Sequence, residues 1–127
     1  MPRTPVESRV SVNGVEIAVW EWAGADPPVL LCHATGFHGR IWDEIVARLA
    51  GRRCIAFDAR GHGRSSKPAP PYHWRNFGAD VAALADELGL CGAVGVGHSQ
   101  GGHAVTLASA LRPDAFGALV LLDPVIR

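Results

Sequence analysis

The sequence predicts an α/β protein: a mostly parallel, doubly wound sheet that begins with an antiparallel hairpin and carries helices on both faces. Three observations predict it. Residues 9–22, RVSVNGVEIAVWEW, alternate on either side of Asn13-Gly14, the strongest short hairpin signal. Further on, short apolar runs that do not alternate are separated by stretches with apolar residues at helical spacing, as in a parallel sheet buried on both faces. Finally, residues 91–111 read as strand, sharp turn and helix without a break.

Taken in order, the hairpin is followed by a loop over residues 23–28, where Gly24, Asp26 and two prolines fall together. Pro28 to Cys32 is a continuous apolar strand ending in His33-Ala34-Thr35-Gly36-Phe37. A helix is expected over 40–50, with Ile41, Trp42, Ile45, Val46 and Leu49 at helical spacing and Gly51 as its stop. Arg53 to Phe57 forms the next strand and runs into Asp58-Ala59-Arg60-Gly61-His62-Gly63-Arg64-Ser65. Ser66 to Pro71, with three prolines, is a surface loop. A helix over 75–88 places Phe77, Val81, Leu84 and Leu88 on one face, and Gly89 ends it. The strand Cys91 to Val96 leads to Gly97-His98-Ser99-Gln100-Gly101, and a helix over 100–111 is closed by Pro113. The last strand, Ala118 to Leu122, ends at Asp123-Pro124.

The 127 residues suit one domain, 1–127, with no internal repeat or low-complexity linker. Twelve basic and twelve acidic residues leave no net charge, so no nucleic acid or anionic membrane surface is expected as partner. No apolar run approaches the ~18 residues of a membrane span, and MPRTPVESRV has no apolar secretory core; a cytoplasmic location is expected. Cys32, Cys54 and Cys91 are odd in number, lack metal-ligand spacing and lie in apolar runs, which reads as three buried free thiols.

The stretch VGVGHSQGG, Val94 to Gly102, carries the chemistry. A strand that turns straight into a helix brings the residues two before and two after the tip almost into contact, so both must be small. Gly97 and Gly101 meet that demand. The turn then holds Ser99 strained and outward at the helix start, where the helix dipole and the Gln100 N–H favour a developing negative charge. A serine hydroxyl attacks poorly until a base takes its proton, and the charge formed on the attacked carbonyl needs fixed donors.

Three motifs, HATGF, FDARGHGRS and GHSQGG, stand in the same order and context after successive strands. Together they resemble the first half of the α/β-hydrolase fold family, over nearly the whole chain. The resemblance implies a truncated α/β-hydrolase fold lacking the family's cap and C-terminal portion. It implies Ser99 as nucleophile, the Gln100 N–H as one oxyanion donor and the Thr35 N–H as the other, with Gly36 or Phe37 as neighbours of that donor. His33 belongs to the oxyanion loop, whose usual glycine is replaced here by Ala34. Asp58 and Arg60 are expected to shape their loop by an ion pair or hydrogen bonds rather than to act in catalysis. Serine at the elbow points to ester, thioester, amide or activated C–C bond hydrolysis through an acyl-enzyme; relatives that open epoxides or remove halides use aspartate there.

The same resemblance calls for an acid and a histidine after the serine. None of the six histidines stands in that late position: His33, His62 and His98 belong to the three motifs, His38 and His73 to loops or helix starts, and His103 to the helix after Ser99. Asp123, at the end of the last strand, is a candidate acid, although an Asp-Pro turn explains it as well. The chain alone is therefore expected to be an incomplete serine hydrolase of feeble activity on a small ester- or amide-like substrate. The alternative is a non-catalytic relative binding a small ligand or a partner at the same cleft. An apolar last strand with an open edge is expected to pair in a homodimer or with a complementing chain. No cofactor is implied: GVGHSQGG lacks the dinucleotide spacing, Gln100 standing where the third glycine belongs, and no metal-binding pair is present.

Overall fold

The computed structural model describes residues 3–49 and 51–125. Six strands form one sheet in the order β1-β2-β4-β3-β5-β6: β1 Val6–Val12, β2 Val15–Trp22, β3 Ala25–Cys32, β4 Arg52–Phe57, β5 Ala93–His98 and β6 Phe116–Leu122. The hairpin β1-β2 and the pair β2-β4 are antiparallel, while β4-β3, β3-β5 and β5-β6 are parallel. The predicted class and the turn at Asn13-Gly14 are what the structure shows.

The central strands read as unbroken apolar runs because both of their faces are covered. Leu30 of β3 and Ile55 and Phe57 of β4 face α2 (Trp74–Glu87) and α3 (Gln100–Leu111), packing with Phe77, Val81, Leu84 and Val105. Their neighbours Leu31, Cys54 and Ala56 face the other way, joining Trp20, Trp22, Trp42 and Val46 under α1 (Asp43–Arg48). Two apolar layers thus sandwich the sheet.

Several boundaries differ from the sequence reading. Residues 25–28, expected in a loop, open β3; the two prolines are accommodated at a register shift between Ala25 and Val29. The helix expected over 40–50 is a 3-10 turn, Gly39–Trp42, followed by the short α1. Only Trp42 and Val46 of its five apolar residues are fully buried; Ile41 and Ile45 are exposed. Cys91 is not in a strand and not buried: Gly92, at φ +64°, turns the chain there, and β5 starts at Ala93. Cys32 and Cys54 are buried as expected.

At the other end, β6 is an edge strand. Leu119 and Leu121 pack on the main core, but Val120 and Leu122 on the opposite face are each 46% exposed. On that face the cluster with Trp42 and Val46 packs on β2, β4 and β3, and Val94 and Val96 of β5 are partly buried against it.

Candidate active site

β3 and β5 run parallel with Cys32 opposite Gly97, so the chain leaves both strands at the same sheet edge. His33 to Phe37 emerges beside His98 and Ser99. Ser99 is the first residue beyond β5 and the N-cap of α3, at φ +53° and ψ −115°, a conformation rarely adopted by a side chain with a Cβ. Its own N–H donates to the Leu122 carbonyl at 2.9 Å, and its carbonyl accepts the Gly102 N–H at 2.9 Å and the His103 N–H at 3.2 Å. The backbone of the tip is therefore held from β6 on one side and from α3 on the other.

The two glycines of the turn are required by contact. A Cβ on Gly97 would lie 2.5 Å from the Gly101 carbonyl oxygen, and one on Gly101 would strike the Cys32 carbonyl of β3. Gly101 thus does more than mirror Gly97: it lets α3 begin against the end of β3, bringing Gln100 close to the 33–37 loop.

In that loop the Phe37 N–H closes a turn on the Ala34 carbonyl at 3.1 Å, with Gly36 at φ +87°. The Gly36 N–H donates to His62 Nε2 at 3.1 Å. The amides of Gly36 and Phe37, the neighbours of the expected donor Thr35, are thus engaged. No hydrogen bond among the described residues engages the N–H of Thr35 or of Gln100. For Gln100 this follows from its place at the start of a helix, where N–H groups lack intrahelical partners.

His33 is 2% exposed and locks the loop from below: Nδ1 donates to the Ala34 carbonyl at 2.8 Å, and Nε2 accepts the Ala59 N–H at 2.9 Å. Burial pushes its pKa down to about 4, so the ring is neutral at pH 7. Asp58 is equally buried, and backbone amides hold its carboxylate: Gly39 N–H at 2.6 Å and Arg64 N–H at 2.8 Å. Arg60 pairs instead with Asp80 of α2. Both residues shape loops, one by hydrogen bonds and the other by an ion pair. Asp80 is a partner that reading along the sequence missed.

Asp123 follows β6 at φ +46°, exposed, and its carboxylate makes no hydrogen bond among the described residues. None joins Ser99 Oγ to an imidazole either. His103 packs its ring on Trp74, with centroids 5.2 Å apart. Among the described residues no three His, Cys, Asp or Glu side chains are grouped to hold a metal ion, and no helix is long and apolar enough to cross a membrane. Beside the elbow lies a cavity of about 260 Å³, lined by His33, Ala34, Phe37, Ile41, Trp42, Ile45 and His98, largely apolar apart from the two histidines.

The family model of the alpha/beta hydrolase fold matches residues 27–127. The chain is 40% identical over 113 residues to the lipase LipV of Mycobacterium tuberculosis, covering 88% of this chain and 43% of that protein. It is 41% identical over 117 residues to a non-heme chloroperoxidase of Streptomyces lividans, covering 89% and 42%. A crystal structure of a haloalkane dehalogenase from Agrobacterium tumefaciens superposes with a TM-score of 0.89 at 28% identity, over 97% of this chain and 42% of that one. The chain spans less than half the length of these relatives.

Proposed function

The chain belongs to the alpha/beta hydrolase fold family, and from that membership we propose that it carries the nucleophile and anion-stabilising half of a serine hydrolase. Ser99 Oγ attacks a carbonyl carbon; the carbonyl oxygen takes up the charge and is met by the N–H groups of Gln100 and Thr35. Collapse of that adduct expels the leaving group and leaves an acyl group on Ser99, which water then removes. Each donor of this kind is worth roughly 10²–10³ in rate. The observation that carries the reading is the elbow itself: a serine at φ +53° at the start of α3, with no hydrogen bond among the described residues engaging the N–H of Gln100 or of Thr35. The apolar cavity beside it suits an uncharged, apolar acyl or alcohol group.

No imidazole meets Ser99 Oγ among the described residues, so the reading takes the base from outside residues 3–125. The open edge of β6 is where it would arrive, from a second copy or a complementing segment. In this reading Asp123, exposed next to the Leu122 carbonyl that anchors Ser99, supplies the acid for such an imidazole. Light scattering checks the pairing: association that rises with concentration and is lost on Val120→Lys supports it, and a monomer at high concentration counts against it.

The lack of an imidazole at Ser99 also favours a second reading, a non-catalytic module that binds an apolar ligand in the same cleft. A serine-directed fluorophosphonate separates the two. Labelling of the folded chain that Ser99→Ala abolishes supports the hydrolase; a folded chain that stays inert even when imidazole is added as an external base supports the binding module.

A further inference from the structure

We infer that His62 is a positioning residue for the loop that carries Thr35: its neutral ring holds the Gly36 N–H, and a second proton on that ring releases the loop. The inference rests on the reading of Thr35 as a charge-stabilising donor.

The tautomer of His62 is dictated by its partners. Nδ1 lies 3.0 Å from the Arg60 carbonyl, which can only accept, so Nδ1 carries the proton. Nε2 lies 3.1 Å from the Gly36 nitrogen, which can only donate, so Nε2 offers its lone pair. One protonation state satisfies both bonds. The consequence falls on the neighbouring residue. With Gly36 N–H turned to His62 and Phe37 N–H turned to Ala34, the turn is clamped at both amides that follow Thr35.

His33 makes the reverse connection, accepting the Ala59 N–H from the loop that contains His62. The two rings lie 5.1 Å apart, so each loop supplies the imidazole that holds the other. His33 is buried, whereas His62 is partly exposed and is the arm that water reaches.

A second proton turns Nε2 into a donor facing another donor, and the Gly36 bond is lost. The loss follows from that donor–donor contact, whatever the surrounding charges. From the 33–37 loop His62 faces His33, whose nitrogens are both engaged, with His38 beyond it. From α2 it faces the edge of Phe77, with ring centroids 6.2 Å apart, and Asp80, which is committed to Arg60. On its own loop stand the Arg60 guanidinium and Asp58, whose carboxylate already accepts two amides. Acid therefore opens this latch.

The test is a pH titration of the ¹⁵N-labelled 127-residue chain by NMR, with His62→Gln and His62→Phe beside it. Glutamine keeps an acceptor that does not titrate; phenylalanine keeps none. The expected result is an Nδ1–H tautomer for His62 at neutral pH, with the Gly36 and Thr35 amides shifting at the midpoint of the His62 ring. Both shifts vanish in His62→Gln, which retains slow exchange at Gly36, whereas His62→Phe exchanges there about 10-fold faster. An Nε2–H tautomer, or a Thr35 amide that ignores the His62 titration, overturns the proposal. Fluorophosphonate labelling run in parallel separates it from the hydrolase reading. If the amides follow His62 while Ser99 stays inert even with imidazole added as an external base, the latch stands and the hydrolase reading falls. If Ser99 is labelled while the amides ignore His62, the latch alone falls. Where Ser99 is labelled, the wild-type rate drops relative to His62→Gln on the acid side of the His62 midpoint.

Discussion

Asp80 of α2 receives the Arg60 guanidinium on both carboxylate oxygens, Nε to Oδ2 at 2.6 Å and Nη2 to Oδ1 at 2.8 Å, with side chains only 5% and 12% exposed. Asn13 Nδ2 of the hairpin turn adds a bond to Oδ1 at 3.0 Å. One carboxylate therefore ties three segments far apart in the chain: the hairpin turn, the loop after β4 and α2. Removing it strands a cation that is largely out of water. Asp80→Ala should cost about 3–5 kcal/mol, read as a lower urea midpoint. Combining Arg60→Met with Asp80→Leu should recover much of that loss, because no buried charge is left unpaired. If the double variant is as unstable as Asp80→Ala, the pair matters for shape rather than charge.

The His33 ring gives a pH dependence whose sign is fixed by burial. Its folded pKa is pushed down to about 4 from 6.5. Between those values the unfolded chain binds the proton and the folded one does not, so stability falls as pH falls through that window. The contribution, about 3 kcal/mol, is complete above about pH 6.5, is lost progressively toward pH 4 and changes no further below it. The difference in unfolding free energy between wild type and His33→Gln, followed from pH 7.5 to 4, isolates it. A difference that stays constant over that range rejects this account.

Local constraints were legible along the chain, and distant ones were not. The elbow could be read because its demand falls on Gly97 and Gly101, two residues from the tip, and Asn13-Gly14 announces its own turn. The start of β3 was hidden because the two prolines argue for a loop, while the pairing that admits them, Ala25 with Arg52, spans 27 residues. Ile41 and Ile45 keep helical spacing yet face outward, since a stretch this short buries one narrow face. A signal for Asp80 was present: a carboxylate amid Phe77, Val81 and Leu84 on the buried side of a helix needs a cation. The His62 contact with Gly36 had no such signal, because it depends on how two loops meet.

Glycines 97 and 102 offer a graded test of the elbow. A Cβ at Gly97 meets backbone atoms only, the Gly101 oxygen at 2.5 Å and the Gly102 Cα at 2.6 Å, and neither can move without unwinding the first turn of α3. One at Gly102 meets Pro124 Cβ at 3.0 Å and the Gly97 oxygen at 3.3 Å, contacts that a small shift relieves. Gly97→Ala should therefore cost about 3 kcal/mol, the upper end for an overpacked site. Gly102→Ala should cost about 1 kcal/mol or less, offset in part by the better helix propensity of alanine. Equal losses in thermal unfolding would mean that the turn is looser than these contacts require.

The torsion at Ser99 sets stability against reactivity. A residue with a Cβ held at φ +53° and ψ −115° carries strain of about 1–3 kcal/mol, and here Ser99 is pinned by the Leu122 carbonyl and by the first turn of α3. Glycine at this position removes the steric cost but loses about 0.5–1 kcal/mol to the greater freedom of the unfolded chain. Ser99→Gly should thus be more stable than wild type by about 1 kcal/mol, a rise of roughly 3–6 °C in Tm for a domain of this size. Ser99→Ala keeps its Cβ, and hence the strain, and should melt close to wild type. Both variants lack the hydroxyl and should be inert to fluorophosphonate, so the stability difference between them reports the backbone alone. Should Ser99→Gly melt at or below Ser99→Ala, the torsion stores no strain.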